Sequence, residues 1–152
     1  MEQILYSKEH YSLGMRENIP ITEIVRKSDI VVHAQDRISV AYRLMKSNML
    51  QHIPVMDQDR VIGIIGRKDM LRLGFGYTYE GREDIEIGML DMLQVDQVMD
   101  RDLPLVALDA IVWEVAELMA IRDFAALPVV EEGKLVGLIY INDIVLFLLK
   151  AH

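Results

Sequence analysis

The chain contains no cysteine, which excludes disulfides, thiolate metal sites and thiol catalysis and suits a reducing cytoplasm. It lacks a positive charge balance. Sixteen Lys and Arg stand against 24 Asp and Glu, a net charge of −8, so no surface-wide positive potential attracts a phosphate backbone and nucleic acid is not an expected partner. Long apolar runs are missing too. The longest stretch without Asp, Glu, Lys or Arg is Ser47 to Met56, far short of the roughly 20 residues of a membrane-spanning helix. The opening MEQILYSKEH has neither the basic start nor the apolar run of a secretion signal. His10, His33, His52 and His152 show no metal-ligand spacing, so no metal site is expected. No phosphate-cradling GxxxxGK[ST], no GxGxxG and no GxSxG nucleophile elbow occurs, and no catalytic residue is assigned. What is present is ample core material: 152 residues, 52% hydrophobic and 26% charged, enough for a folded domain and too apolar for a disordered tail. A cytoplasmic protein acting neither on membranes nor on nucleic acid is the expectation.

The dominant positive feature is an internal duplication. HIPVMDQDRVIGIIGRKDML (His52 to Leu71) lies without a gap over ALPVVEEGKLVGLIYINDIV (Ala126 to Val145) at a constant offset of 74 residues. Pro54 falls on Pro128, Val55 on Val129, Gly63 on Gly137, Ile65 on Ile139 and Asp69 on Asp143; upstream, Val32 falls on Val106, and Leu44 and Met45 on Leu118 and Met119. Repeats at a fixed period mark copies of one structural unit.

Each copy has the same layout. A β-rich run opens it, DIVVHA (Asp29 to Ala34) or LPLVAL (Leu103 to Leu108). An amphipathic helix follows, with apolar positions Ile38, Ala41, Leu44 and Met45 in one copy and Val112, Val115, Leu118 and Met119 in the other, the spacing of one helical face. Asp36 and Asp109 are placed as helix N-caps. Two strands around a polar turn come next, through DQDR and EEGK, and a second helix begins near Asp69 or Asp143. The hairpin strands are apolar on both faces and must be covered on both. The expected organisation is an N-terminal extension over 1–20 with helix as its expected conformation, a first repeat over 21–73, a connecting segment over 74–94 and a second repeat over 95–152. Within the connecting segment, the glycine–aromatic alternation of Gly74 to Gly81 reads as a loop and the remainder as a short helix.

A hydrophobe-Pro-Val segment, a turn, then Gly-hydrophobe-hydrophobe-x-x-x-Asp, twice in tandem, resembles a pair of CBS domains, the module named from cystathionine beta-synthase. The resemblance spans Ile21 to about Leu73 and Val95 to about Leu149. It implies a mixed α/β (α+β) fold of two β-α-β-β-α repeats related by a pseudo-twofold axis, packed sheet to sheet with the helices outside. It further implies a stand-alone, non-catalytic regulatory module that needs no cofactor and commonly dimerises. The implied ligand carries adenosine: AMP, ADP, ATP, S-adenosylmethionine or a relative. A homodimer and an unidentified regulated protein are the implied partners.

Carried onto this chain, the resemblance assigns Asp69 and Asp143 to a ribose, whose adjacent hydroxyls one carboxylate accepts together. An aspartate between a strand and a helix is equally suited to an N-cap, and one carboxylate can do both. Gly63 and Gly137 belong to the motif, though glycine inside a strand also marks a bulge or a close backbone approach. His52, Ile53 and Pro54, with Ala126, Leu127 and Pro128, match the adenine slot and are equally ordinary strand residues. The family places Thr or Ser three residues before the Asp; here stand Gly66 and Tyr140. Gly66 is followed by Arg67 and Lys68, which suit an anion, whereas Tyr140 brings no charge, so the Asp69 site ranks first for a phosphorylated ligand. The missing hydroxyls keep a rival open: a ligand-free dimerisation or interaction scaffold. An enzyme has little support, since the only polar side chain repeated in the motif is one Asp per copy.

Overall fold

The computed structural model describes residues 5–6, 18–72 and 90–150. Its elements run in chain order as β1 (Leu5–Tyr6), β2 (Arg26–Lys27), β3 (Val32–His33), α1 (Ile38–Asn48), β4 (His52–Asp57), β5 (Arg60–Gly66), α2 (Arg67–Met70), β6 (Leu105–Ala107), α3 (Val112–Ile121), β7 (Ala126–Glu131), β8 (Lys134–Tyr140) and α4 (Ile141–Lys150). Short 3₁₀ turns cover Ile21–Glu23 and Val95–Gln97. This is the mixed fold of two sheets and four helices that the duplication implied. Among the described residues no helix is long and apolar enough to cross a membrane.

The chain divides into two compact units that do not follow the order of the repeats. One unit holds residues 30–101; the other holds residues 1–29 together with 102–152. The stretch before β3 therefore packs with the second hairpin, and the stretch after Leu90 with the first.

In the 30–101 unit the sheet order is β3-β4-β5, β3 parallel to β4 and β4 antiparallel to β5. In the other unit the order is β1-β6-β7-β8-β2, with the β7–β8 hairpin as its centre and β2 antiparallel on the outer edge of β8. Both hairpins shift register at the same place, between Val55 and Met56 and between Val129 and Val130, a bulge copied with the repeat. Within the N-terminal extension Leu5–Tyr6 is a strand rather than a helix, because parallel pairing with Leu105 and Val106 supplies its backbone with partners. The rest of that extension and the glycine–aromatic loop lie outside the described residues.

The helices bury the faces that the spacing marked. Ile38, Ala41 and Met45 are buried on α1, with Leu44 half-buried; Val112, Val115, Leu118 and Met119 are buried on α3. Ile53, Val55 and Ile65 in one unit and Leu127, Val129 and Ile139 in the other are fully enclosed, so the hairpins are covered as two-faced apolar strands require.

The helix starts differ from expectation. Neither Asp36 nor Asp109 caps a helix: the N-cap residues are Arg37 and Ile111, both extended and without a side-chain bond. Their first amides are met by backbone from far along the chain, Ile38 N–H by the Leu93 carbonyl at 3.0 Å and Val112 N–H by the Ile19 carbonyl at 2.8 Å. Isolated bridges pair Arg37 with Gln94 and Ile111 with Pro20, again 74 residues apart. A remote carbonyl makes a side-chain cap unnecessary, and Asp36 instead accepts the His33 N–H at 2.8 Å, closing the turn after β3.

Gly63 and Gly137 are glycines for a backbone reason. A Cβ on Gly137 would fall against the Arg26 carbonyl group, with Arg26 C at 2.8 Å and Lys27 Cα at 2.9 Å. A Cβ on Gly63 would meet the Asp100 carbonyl oxygen at 2.5 Å and Met99 Sδ at 2.8 Å. In each unit a crossing segment lies directly on the glycine. Gly137→Ala and Gly63→Ala are each expected to cost about 1–3 kcal/mol through overpacking. Gly133→Ala, at the hairpin turn with φ +79° and open space around it, is expected to cost about 1 kcal/mol from backbone strain alone. Urea unfolding of the three variants checks the order.

Candidate functional site

The first site forms where β5 runs into α2. Gly66 ends the strand in an extended conformation and is the N-cap. Asp69 is the third helical residue, and its Oδ2 accepts the Gly66 N–H at 2.7 Å. The carboxylate is thus a capping group acting backward across the turn, not an N-cap. The Arg67 N–H donates to the Gln51 carbonyl at 2.9 Å, tying the helix start to the segment that leads into β4. Asp69 is only 8% exposed. Its Oδ1 faces Arg72 Nη1 at 3.8 Å, an ion pair weakened by the 74% exposure of the Arg72 side chain.

His52 and Gly66 are direct cross-strand partners. A Cβ on Gly66 would approach His52 Cδ2 to 2.8 Å and Nε2 to 3.1 Å, and Asp69 Oδ2 to 3.5 Å. The imidazole therefore takes the space in which the family's Thr or Ser side chain would begin. In the second hairpin the matching pair is Ala126 and Tyr140: the ring has moved to the opposite strand. Ile53, Pro54, Leu127 and Pro128 are buried and hold these pairs in register.

The structure brings His52, Gly66 and Asp69 together and keeps Arg67 and Lys68 on the adjoining turn. A cavity of about 330 Å³ opens beside it, lined among others by Tyr42, Lys46, Gln51 and Arg67, within the size range of small-molecule sites. A larger recess of about 860 Å³ lies in the other unit, at the β7–β8 turn; Pro20, Asp109, Ile111, Glu131 and Gly133 line it, and no residue predicted as a site residue does. Among the described residues no group of three or more His, Asp or Glu is placed to hold a metal.

At Asp143 the surroundings are different. Arg26, on β2, forms a two-pronged ion pair with it, Nε to Oδ2 at 2.6 Å and Nη2 to Oδ1 at 2.9 Å. The guanidinium also lies over the Tyr140 ring, 4.7 Å from its centroid. The sequence offered no sign of this pair, because Arg26 and Asp143 are 117 residues apart.

The electrostatics follow. Burial pushes the Asp69 carboxyl up; the Gly66 N–H and Arg72 oppose this, and Asp100 reinforces it. Burial also lowers His52, helped by Lys68 and opposed by Asp100, which favours a neutral ring. Asp143 holds Arg26 even more firmly protonated than an ordinary arginine, and burial raises the Tyr140 phenol.

An aspartate raised above its unfolded value near 4 contributes stability that is complete below that value and lost as pH rises through the raised one. Asp69→Asn, which keeps an oxygen for the Gly66 N–H, is expected to melt above the parent at pH 7, with the gap shrinking as pH falls toward 4. His52 works in the opposite sense, losing stability as pH falls below about 6.5, but does so in both proteins. Paired thermal melts from pH 4 to 8 check this; a gap independent of pH would contradict it.

The comparisons with known proteins agree with this architecture. A model of the CBS domain matches residues 21–76 and 95–150. An uncharacterized protein of Methanocaldococcus jannaschii is 26% identical over 130 residues, 84% of this chain and 46% of its own length, so this chain spans about half of that relative. An inosine-5'-monophosphate dehydrogenase of the same organism is 26% identical over 144 residues, which are 89% of this chain and 26% of the enzyme. Among solved structures, an M. jannaschii protein described as a proposed archaeal homologue of g-AMPK superposes with a TM-score of 0.70 at 25% identity, covering 87% of this chain and 48% of that one. A CBS domain-containing protein of Bacillus anthracis shares the fold with a TM-score of 0.71 at 23% identity, covering 88% and 95%. Two matched copies, each carrying the hairpin and the aspartate at its helix start, establish that the chain belongs to the CBS-domain family, a family of regulatory modules.

Proposed function

We propose that this protein is a regulatory module that binds an adenosine-containing ligand at Asp69, in the class of AMP, ADP, ATP or S-adenosylmethionine, and passes the change to a partner protein. The observation that carries the reading is the state of the Asp69 carboxylate. It is buried, its Oδ2 is engaged by one backbone N–H, and its Oδ1 faces a mobile-length, exposed arginine at 3.8 Å. A ribose would offer two hydroxyl donors to such a group, each charge-assisted bond contributing about 1.5–3 kcal/mol. Arg67 and Lys68 lie on the same helix start for a phosphate, and Ile53 and Pro54 offer apolar contact to a purine. A neutral His52 fills the position next to Gly66 and stands in for the absent hydroxyl. Likeness to a protein described as a proposed g-AMPK homologue supports an adenosine nucleotide as the ligand class.

The expected result is a rise in melting temperature with one or more of AMP, ATP and S-adenosylmethionine, and none with GMP. A ligand at about 100 times its dissociation constant adds about 2.7 kcal/mol, on the order of 5–10 °C for this length. The shift is expected to vanish in Asp69→Ala. A folded Asp69→Ala protein with an unchanged shift would remove Asp69 from the site; no shift with any ligand would favour the scaffold reading.

The module is further proposed to act as a homodimer. Helix α4 buries only Ile144, while Val145, Leu146 and Leu149 are 45%, 54% and 69% exposed, and a contiguous apolar helix face of this kind favours a partner. Leu146→Glu with Leu149→Glu is expected to convert a dimer into a folded monomer, read by light scattering after size-exclusion chromatography.

A further inference from the structure

The two aspartates of the repeat meet opposite charges at matching positions of the crossing segments. Arg26 pairs with Leu138 across the β2–β8 ladder. Asp100 is bridged to Ile64, with both Asp100 N–H to Ile64 carbonyl (2.9 Å) and Ile64 N–H to Asp100 carbonyl (3.0 Å) present. Arg26 and Asp100 are 74 residues apart, as are Leu138 and Ile64 and the two aspartates themselves. The crossing segment thus delivers a side chain to each aspartate from the same register: a guanidinium at Asp143, a second carboxylate at Asp69.

We propose that Arg26 is an internal occupant of Asp143 that withholds its carboxylate from ligand, so that Asp69, whose matching position carries Asp100, is the acceptor left open to a ribose. Both oxygens of Asp143 are taken, at 2.6 and 2.9 Å, in the planar geometry that arginine and carboxylate share. The guanidinium is held from a second side by the Tyr140 ring. A ribose could reach Asp143 only by displacing a bidentate partner on the same folded unit, which needs no diffusion to return. Asp100 can do nothing of the kind for Asp69, because a carboxylate has no proton to donate at neutral pH. The electrostatic influence of Asp100 on both Asp69 and His52 places the like charge beside that site. Arg26 is in this sense a residue that decides which copy binds. The inference rests on the reading of Asp69 as the ribose acceptor.

Isothermal titration calorimetry of the full chain with AMP, repeated with ATP and S-adenosylmethionine, tests it. The parent is expected to take one equivalent and Asp69→Ala none, with affinity down at least tenfold. Arg26→Ala is expected to take two, and Arg26→Ala with Asp69→Ala one, lost again on adding Asp143→Ala. Arg26→Met, which keeps the length and the strand, replaces Arg26→Ala if that variant melts early. Two equivalents in the parent, or a parent that binds while the Arg26/Asp69 double variant does not, would overturn the proposal. Binding by the double variant without binding by the parent would refute the role of Asp69 and leave the occupancy of Asp143 by Arg26 standing. Absence of binding by every variant would overturn both.

Discussion

Both candidate sites depend on one constraint: a strand of backbone lying directly on a glycine. At Gly137 the Arg26–Lys27 backbone leaves no room for a Cβ, and at Gly63 the Asp100 carbonyl leaves almost none. That approach forms the β2–β8 ladder in one unit and the Ile64–Asp100 bridge in the other. It also decides which side chain arrives beside each aspartate. The motif glycines therefore serve the site at one remove, by admitting the segment that brings Arg26 or Asp100. The same logic governs the helix starts, where the Leu93 and Ile19 carbonyls take the place of caps.

Once the segments are in place, small differences between the copies have large consequences. One cross-strand pair carries its ring as His52 opposite Gly66 and the other as Tyr140 opposite Ala126. In the first arrangement the space beside Asp69 holds a ring that burial keeps neutral, flanked by two cations on the following turn. In the second, the tyrosine provides a face for Arg26, and arginine, tyrosine and aspartate satisfy one another. A duplicated backbone has thus been given one carboxylate under electrostatic tension and one that is internally neutralised. Tension of that kind is a frequent property of binding sites, since a group poorly served by its own fold gains most from a ligand.

The apolar pattern of the chain was legible because it is local. The i, i+3, i+6, i+7 spacing marked the faces that α1 and α3 bury, the paired Pro-Val and Gly-hydrophobe runs marked two hairpins, and the fixed offset marked the duplication. Asp69 was legible as a site residue for the same reason, as a recurring charge at a strand-to-helix junction. The supposed caps Asp36 and Asp109 were misjudged because a remote carbonyl competes with a side chain without leaving a trace in the neighbouring residues. Gly66 was read as a missing hydroxyl, whereas its partner His52 lies across the ladder.

By itself, then, the sequence determined the two-copy architecture, the buried faces and the identity of the paired aspartates, all of which follow from periodicity and spacing within a few tens of residues. Only the tertiary structure decided that residues 1–29 fold with the second copy and residues 30–101 with one another, and that the two aspartates meet opposite charges. The physical reason is distance along the chain. Arg26 and Asp143 are separated by 117 residues, and their bond exists only because two backbones approach at a glycine, a geometry that no local pattern encodes.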